Sequence, residues 1–291
     1  MYDTILVPID GSDGAENAVS RAFDLALTFS ASIHVLYVAE TESEPVEISR
    51  EQHNELRRPS EKRGRQATAR AHEQATELSL DVTRSVREGV PYRIILEYAD
   101  EHGINLIAMG THGRTRAERV RLGSTTERVI TLADSPVVAV PLTDEERVDV
   151  ATVDYDRIVI ATDGSDAAER AAERGLEIAE SYDADVYVTY VIDTTTYDLK
   201  DAPRSIVGLL KEGGKNAVEA ITADGRGREL SVETDVLRGV PDEEIIEYTD
   251  GIDADLVVMG VRGRGGATES FLGSTTARVI RRTTRPILTV G

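Results

Sequence analysis

The sequence predicts an α/β protein made of two tandem copies of one doubly wound domain. In each copy a five-stranded parallel sheet of order 3-2-1-4-5 carries helices on both faces. Two observations lead there. The first is a gap-free internal repeat: Ile5–Val38 aligns with Ile158–Val191 at an offset of 153, and Val86–Val140 with Val236–Val290 at an offset of 150. A period that long marks a duplicated domain, not a solenoid unit. The second is the alternation of short apolar runs with amphipathic stretches in each copy, the pattern of strands joined by crossover helices.

The elements follow in order. Thr4–Ile9 is a short, β-branched apolar run and reads as a buried strand. Ala15, Ala18, Val19, Ala22, Phe23, Ala26 and Phe29 then recur at helical spacing, as do Ala168, Ala171, Ala172, Gly175, Leu176, Ala179 and Tyr182 in the second copy. Ser32–Val38 is the second strand. A long polar helix is expected over Ile48–Leu78, with a break near Pro59 because proline removes a main-chain donor. Asp81–Arg87 is the third strand, and Pro91–His102 a helix with proline in its first turn. Ile104–Gly110, Ser124–Leu132 and Pro136–Val140 complete the copy as strand, helix and strand. The domains are expected at 1–141 and 157–291, with the polar, acidic stretch 142–156 as linker.

Composition narrows the chemistry. The 291 residues contain no Cys, which excludes disulfides, thiolate metal sites and cysteine nucleophiles. No apolar run approaches the ~18 residues of a membrane helix. The start, MYDTILVPIDGSDG, lacks the basic-then-apolar order of a secretory signal, so a cytoplasmic location is expected. Asp+Glu number 53 against 33 Lys+Arg, a net charge of −20. That balance disfavours nucleic acid and anionic membranes as partners. The acids are spread through both copies instead of forming a tail. This favours adaptation to high salt, a halophilic composition, over a local acidic binding surface.

In a doubly wound sheet, ligands bind outside the carboxyl ends of the strands at the switch point between strands one and four. The residues there are Pro8-Ile9-Asp10-Gly11-Ser12 and Met109-Gly110 in the first copy. In the second they are Ala161-Thr162-Asp163-Gly164-Ser165 and Met259-Gly260. After strand four both copies carry G-x2-G-x9-G-[ST], as Gly110, Gly113, Gly123-Ser124 and as Gly260, Gly263, Gly273-Ser274. Glycines let main-chain amides close on an anion. Ser124-Thr125 and Ser274-Thr275 open a helix whose positive end favours phosphate. Arg114 and Arg264 add positive charge. Such glycines also serve as plain turns, and such serines as caps. Retention of all three glycines and the hydroxyl in both copies, while Thr115–Arg121 and Gly265–Phe271 diverge, favours the phosphate reading.

Other motifs fail. Gly214-Lys215 is followed by Asn216, so there is no Walker A sequence, and no G-x-G-x-x-G follows a strand. Neither a nucleophile elbow nor H-E-x-x-H occurs. Ser12 and Ser165 read as turn or cap residues. His34, His53, His72 and His102 fall in helix or strand patterns without metal-ligand spacing.

On Val7-Pro-Ile-Asp-Gly-Ser12, Ile160-Ala-Thr-Asp-Gly-Ser165 and the two glycine loops, both copies resemble the universal stress protein (UspA-like) family, in its ATP-binding branch. The resemblance covers all but the linker. It implies a Rossmann-like (adenine nucleotide alpha hydrolase-like) fold and one ATP, ADP or AMP site per copy, with Mg²⁺ accompanying the phosphates. It implies Asp10 and Asp163 on the adenine and ribose side, the main chain at Val38 and Val191 against adenine, and the loop glycines with Ser124 and Ser274 on ribose and phosphates. It also implies pairing of the copies through their last strands as a pseudo-dimer, with homodimerisation beyond that, and a regulatory role in a stress response. A slow ATPase or phosphotransferase, or a scaffold with vestigial pockets, are the alternatives. Arg262 stands where the first loop has His112, so the two phosphate ends are expected to differ.

Overall fold

The computed structural model describes residues 2–40, 50–113, 122–142, 154–195, 204–264 and 271–291. The chain divides into two compact units, Met1–Val153 and Asp154–Gly291. Among the described residues no helix is long and apolar enough to cross a membrane.

In the first unit, β1 (Thr4–Ile9), β2 (Ser32–Glu40), β3 (Val82–Gly89), β4 (Leu106–Gly110) and β5 (Val137–Val140) alternate with α1 (Asp13–Phe29), α2 (Arg50–Glu77), α3 (Pro91–Glu101) and α4 (Ser124–Leu132). β1 pairs in parallel with β2 and β4, β2 with β3, and β4 with β5. The order is therefore β3-β2-β1-β4-β5. α1 and α2 pack on one side of the sheet; α3 packs on β2 and β3 and against α4 on the other. Right-handed crossovers require that division once the chain reverses direction between β3 and β4.

The second unit repeats the plan with β6 (Arg157–Thr162), α5 (Asp166–Tyr182), β7 (Asp185–Asp193), α6 (Arg204–Gly227), β8 (Val232–Gly239), α7 (Pro241–Gly251), β9 (Leu256–Gly260), α8 (Ser274–Arg282) and β10 (Ile287–Val290). β6 pairs in parallel with β7 and β9, and β8 and β10 lie outside them. Each core is mainly aliphatic. Ile5, Leu6, Val7, Ile33, Val35, Leu36, Leu106 and Ile107 are fully buried, as are Ile158, Val159, Ile160 and Val257.

The expected break at Pro59 does not occur: α2 runs unbroken from Arg50 to Glu77. Pro59 is exposed, so the missing main-chain bond lies on the solvent side. Just beyond it the helix is held on β2. Tyr37 Oη lies 3.3 Å from Ser60 Oγ, and Gly64 sits so close over the Tyr37 ring that a Cβ there would collide with it. Gly214 meets Tyr190 in the same way in the second unit. The final residues of the expected linker also belong to a core. Tyr155 is fully buried, its ring edge-on to Tyr182 at 4.9 Å, and the Asp156 amide donates to Asp255 Oδ2 at 3.0 Å.

Candidate functional site

The site begins where β1 ends. Ile9 pairs with Tyr37, and Gly11 turns the chain at φ +80°, a region open to glycine. Asp10 Oδ1 accepts from the Ser12 amide (3.0 Å) and hydroxyl (2.6 Å). Ser12 Oγ in turn accepts from the Ala15 amide at 3.3 Å and caps α1. The second unit repeats the device. Gly164 has φ +71°, Asp163 Oδ1 accepts from the Ser165 amide at 3.0 Å, and Ser165 Oγ caps α5 through Ala168. Ser12 and Ser165 are thus the turn and cap residues expected, and the two serine oxygens are occupied by those duties.

β4 ends beside the start of α1. A Cβ on Gly110 would lie 2.7 Å from the Gly14 carbonyl oxygen, and one on Gly14 would lie 2.8 Å from the His112 carbonyl oxygen. Only bare main chain fits at this crossing. The two stems of the glycine loop are tied to each other by the Gly123 amide, which donates to the Thr111 carbonyl at 2.8 Å, and by Thr126 Oγ1, which donates to the Gly110 carbonyl at 2.8 Å. Gly273 to Val261 (2.9 Å) and Thr276 to Gly260 (2.9 Å) repeat both bonds. Thr126 and Thr276 were not singled out from sequence. Their place in the shared Gly-Ser-Thr-Thr stretches was the available signal.

The stems face the first-strand aspartates. A Cβ on Gly113 would lie 2.9 Å from Asp10 Oδ2, and one on Gly263 would collide with Asp163 Oδ2. The Arg264 amide donates to Asp163 Oδ2 at 2.8 Å, and its guanidinium reaches the Gly164 carbonyl at 2.9 and 3.3 Å. Asp163 therefore joins its own turn to the loop stem, and Asp10 Oδ2 stands beside the stem of the first unit. In the second unit one carboxylate oxygen serves each side.

Among the described residues the helix that follows has no side-chain cap at its positive end. Gly123 and Gly273 occupy the N-cap positions of α4 and α8 and provide no side-chain cap. Ser124 and Ser274 are the first helical residues, not the caps, and both are exposed; Thr125 and Thr275 beside them are half-buried. α1 and α5 close the same end with serine. An uncapped first turn presents amide donors and the positive end of the helix dipole to an anion.

Val38 lies one residue beyond the Ile9–Tyr37 pair, level with Asp10, and Val191 one beyond Thr162–Tyr190, level with Asp163. Pro8, Met109, Ala161, Thr162 and Met259 stand at the strand ends as expected, but they are buried. Their side chains belong to the core, which leaves main chain to face a ligand. His112 Nδ1 lies 2.8 Å from Thr111 Oγ1, and its Nε2 is buried with no partner among the described residues. Val261 and Arg262 replace this pair in the second unit. Arg114 and the second loop's Gly265 and Gly266 lie outside the described residues. A cleft of about 100 Å³ opens beside the turn, lined by Ile9 and Gly11, by Ala15 and Val19 of α1, and by Ala67 and Ala71 of α2. Of the expected strand-end residues Ile9 and Gly11 border it; the α1 and α2 residues that complete it were not expected, because the pattern of α2 gave no hint of which residues would face α1.

Comparison with known proteins agrees with this fold. Residues 1–141 and 154–291 each match the profile of the Universal stress protein family. The chain is 39% identical over 132 residues to a universal stress protein of Methanocaldococcus jannaschii, covering 44% of this chain and 78% of that one. It is 31% identical over 147 residues to the universal stress protein YxiE of Bacillus subtilis, covering 48% and 99%. A solved universal stress protein from Archaeoglobus fulgidus shares the fold across 99% of this chain and 96% of its own. That match has a TM-score of 0.70 and 22% identity.

Proposed function

The chain belongs to the universal stress protein family, and from that membership and the geometry of its two crevices we propose that each half binds one adenine nucleotide, ATP, ADP or AMP, as a regulatory switch in a stress response. One observation carries the reading. In each half an aspartate on the first-strand turn, glycine stems that exclude any side chain, and an uncapped helix start converge at the switch point of a parallel sheet. The uncapped amides of Ser124-Thr125 and Ser274-Thr275 receive the phosphates, with the exposed serine hydroxyls as further donors. Asp10 and Asp163 orient ribose through carboxylate oxygens, and the main chain at Val38 and Val191 meets the base. Arg262 and Arg264 supply positive charge at the second phosphate end. Among the described residues no group of three or more His, Asp or Glu is placed to hold a metal ion. Mg²⁺ would arrive with the phosphates, the arrangement usual for nucleotide-bound magnesium.

Mass spectrometry of the small molecules released from protein purified without added nucleotide tests the reading. An adenine nucleotide is expected, at up to two per chain. In equilibrium titration, Asp10→Ala and Asp163→Ala are each expected to weaken one of two sites and leave the other. No adenine nucleotide bound at millimolar concentration would overturn the reading. Turnover of ATP with Mg²⁺ well above background, lost in the double variant, would replace a switch with an enzyme.

A further inference from the structure

Far from the glycine loop, on the α3 side of the first sheet, two histidines separated by 68 positions meet around one buried phenol. Tyr98 of α3 is 1% exposed, and its Oη lies 3.0 Å from Nδ1 of His34, the third residue of β2. His102, the C-cap of α3, stacks on the Tyr98 ring at 3.9 Å and 12°, with its Nδ1 3.0 Å from the Tyr98 carbonyl. The His34 and His102 rings stand edge to face at 5.3 Å. Arg87 of β3 covers the Tyr98 ring at 4.6 Å and is paired with Glu101 of α3 at 2.6 Å.

We propose that His34, Tyr98 and His102 form an acid-responsive latch, present only in the first half, that holds α3 on β2 near neutral pH and releases it in mild acid. The hydrogen-bond inventory gives the reason. A carbonyl only accepts, so His102 Nδ1 carries its proton toward Tyr98 O, and an added proton goes to Nε2. With neutral His34, the Tyr98 hydroxyl donates to Nδ1, and both atoms of that bond are paired. Protonated His34 donates at both nitrogens. The Tyr98 oxygen must then accept, and its own proton is left buried without an acceptor among the described residues, a costly state. The new charge also sits beside His102, with Arg87 over the neighbouring Tyr98 ring; Asp81, just before β3, is the acidic group that opposes this, and Glu101 is already engaged by Arg87. Burial first, then His102, holds the His34 imidazole below the ordinary histidine value, against the opposing pull of Asp81. A lowered value means that the contribution of His34 to stability is complete above its unfolded value and is lost as pH falls from there toward the lowered one.

The second half is a built-in control. Tyr187, Tyr248, Ile252 and Leu237 occupy the positions of His34, Tyr98, His102 and Arg87. Tyr248 Oη donates to Asp235 Oδ2 at 2.8 Å, with no histidine in the arrangement. Hydrogen exchange of the full chain between pH 7.5 and 5.5, corrected for intrinsic rates, reads the difference. Protection of α3 is expected to fall relative to α7, by about tenfold for each unit of lowering at His34. His34→Gln, which keeps an acceptor for Tyr98 but does not titrate, is expected to abolish the fall, and His102→Ile to reduce it. Parallel behaviour of α3 and α7, or an undiminished fall in His34→Gln, would overturn the proposal. Should His34→Gln already have lost protection at pH 7.5, the titration of His34 followed by NMR in the unaltered chain decides. A midpoint below that of a histidine in an unstructured peptide supports the latch, and one at or above it refutes it.

Discussion

Gly110 shows what a single missing Cβ does for this protein. Its main chain passes so close to Gly14 that an added methyl would stand 2.7 Å from one backbone oxygen and 2.8 Å from the adjoining carbon, neither able to yield as a side chain would. Gly110→Ala is expected to lower stability by about 1–3 kcal/mol, seen as a lower urea midpoint, and to weaken nucleotide binding in the first half. Gly213, inside α6 with open space where a Cβ would go, is the counter-example. Gly213→Ala is expected to raise stability by about 0.4–1 kcal/mol, mainly by restricting the unfolded chain. Both are glycines in the sequence, and only the contacts separate them. The aspartates make a similar point. Asp10 and Asp163 were legible as strand-end acids because the switch-point rule names that place. Their second duty, meeting the loop stem through the other carboxylate oxygen, joins residues about a hundred positions apart.

At the scale of elements, the repeat fixed most boundaries to within one or two residues, because periodicity and turn residues agree in two copies. α2 was the exception. Pro59 alone predicts a break, but a helix pinned by Ser60 and Gly64 onto Tyr37 retains its course. Burial against a sheet outweighs one lost exposed bond. The start of α4 was read correctly as a helix opening, while its tether was not seen. Thr126 is 4% exposed and spends its hydroxyl on the Gly110 carbonyl. Thr126→Val retains the shape and removes that donor. It is expected to cost about 1–3 kcal/mol for the buried carbonyl left unpaired, measured by thermal melting, and to loosen the nucleotide site of its own half. Equivalent helix pairs are also held by different chemistry. Arg128 lies over the Tyr92 ring at 4.7 Å between α4 and α3, whereas buried Asp242 of α7 takes Arg278 and Arg282 of α8 at 3.3 and 2.8 Å.

For the whole molecule, the governing quantity is the net charge of −20 on 291 residues. Acids dispersed over both halves repel one another, and salt screens that repulsion; the Debye length falls from about 30 Å at 0.01 M to about 3 Å at 1 M. The melting temperature is therefore expected to rise from dilute buffer to molar KCl. A flat profile would show that the acidity is not a stability device and return attention to a local acidic binding surface.

The sequence by itself determined the duplication, the parallel α/β plan, the strand-end aspartates and the two glycine loops. All of these are written in local periodicity, and the second copy acts as an independent reading of the first. Only the tertiary structure decided which glycines are irreplaceable, which hydroxyl ties the loop, that α2 passes through Pro59, and that His34 and His102 meet across Tyr98. Those facts depend on which side chains from distant positions arrive at the same few ångströms, and no period in a linear pattern records that.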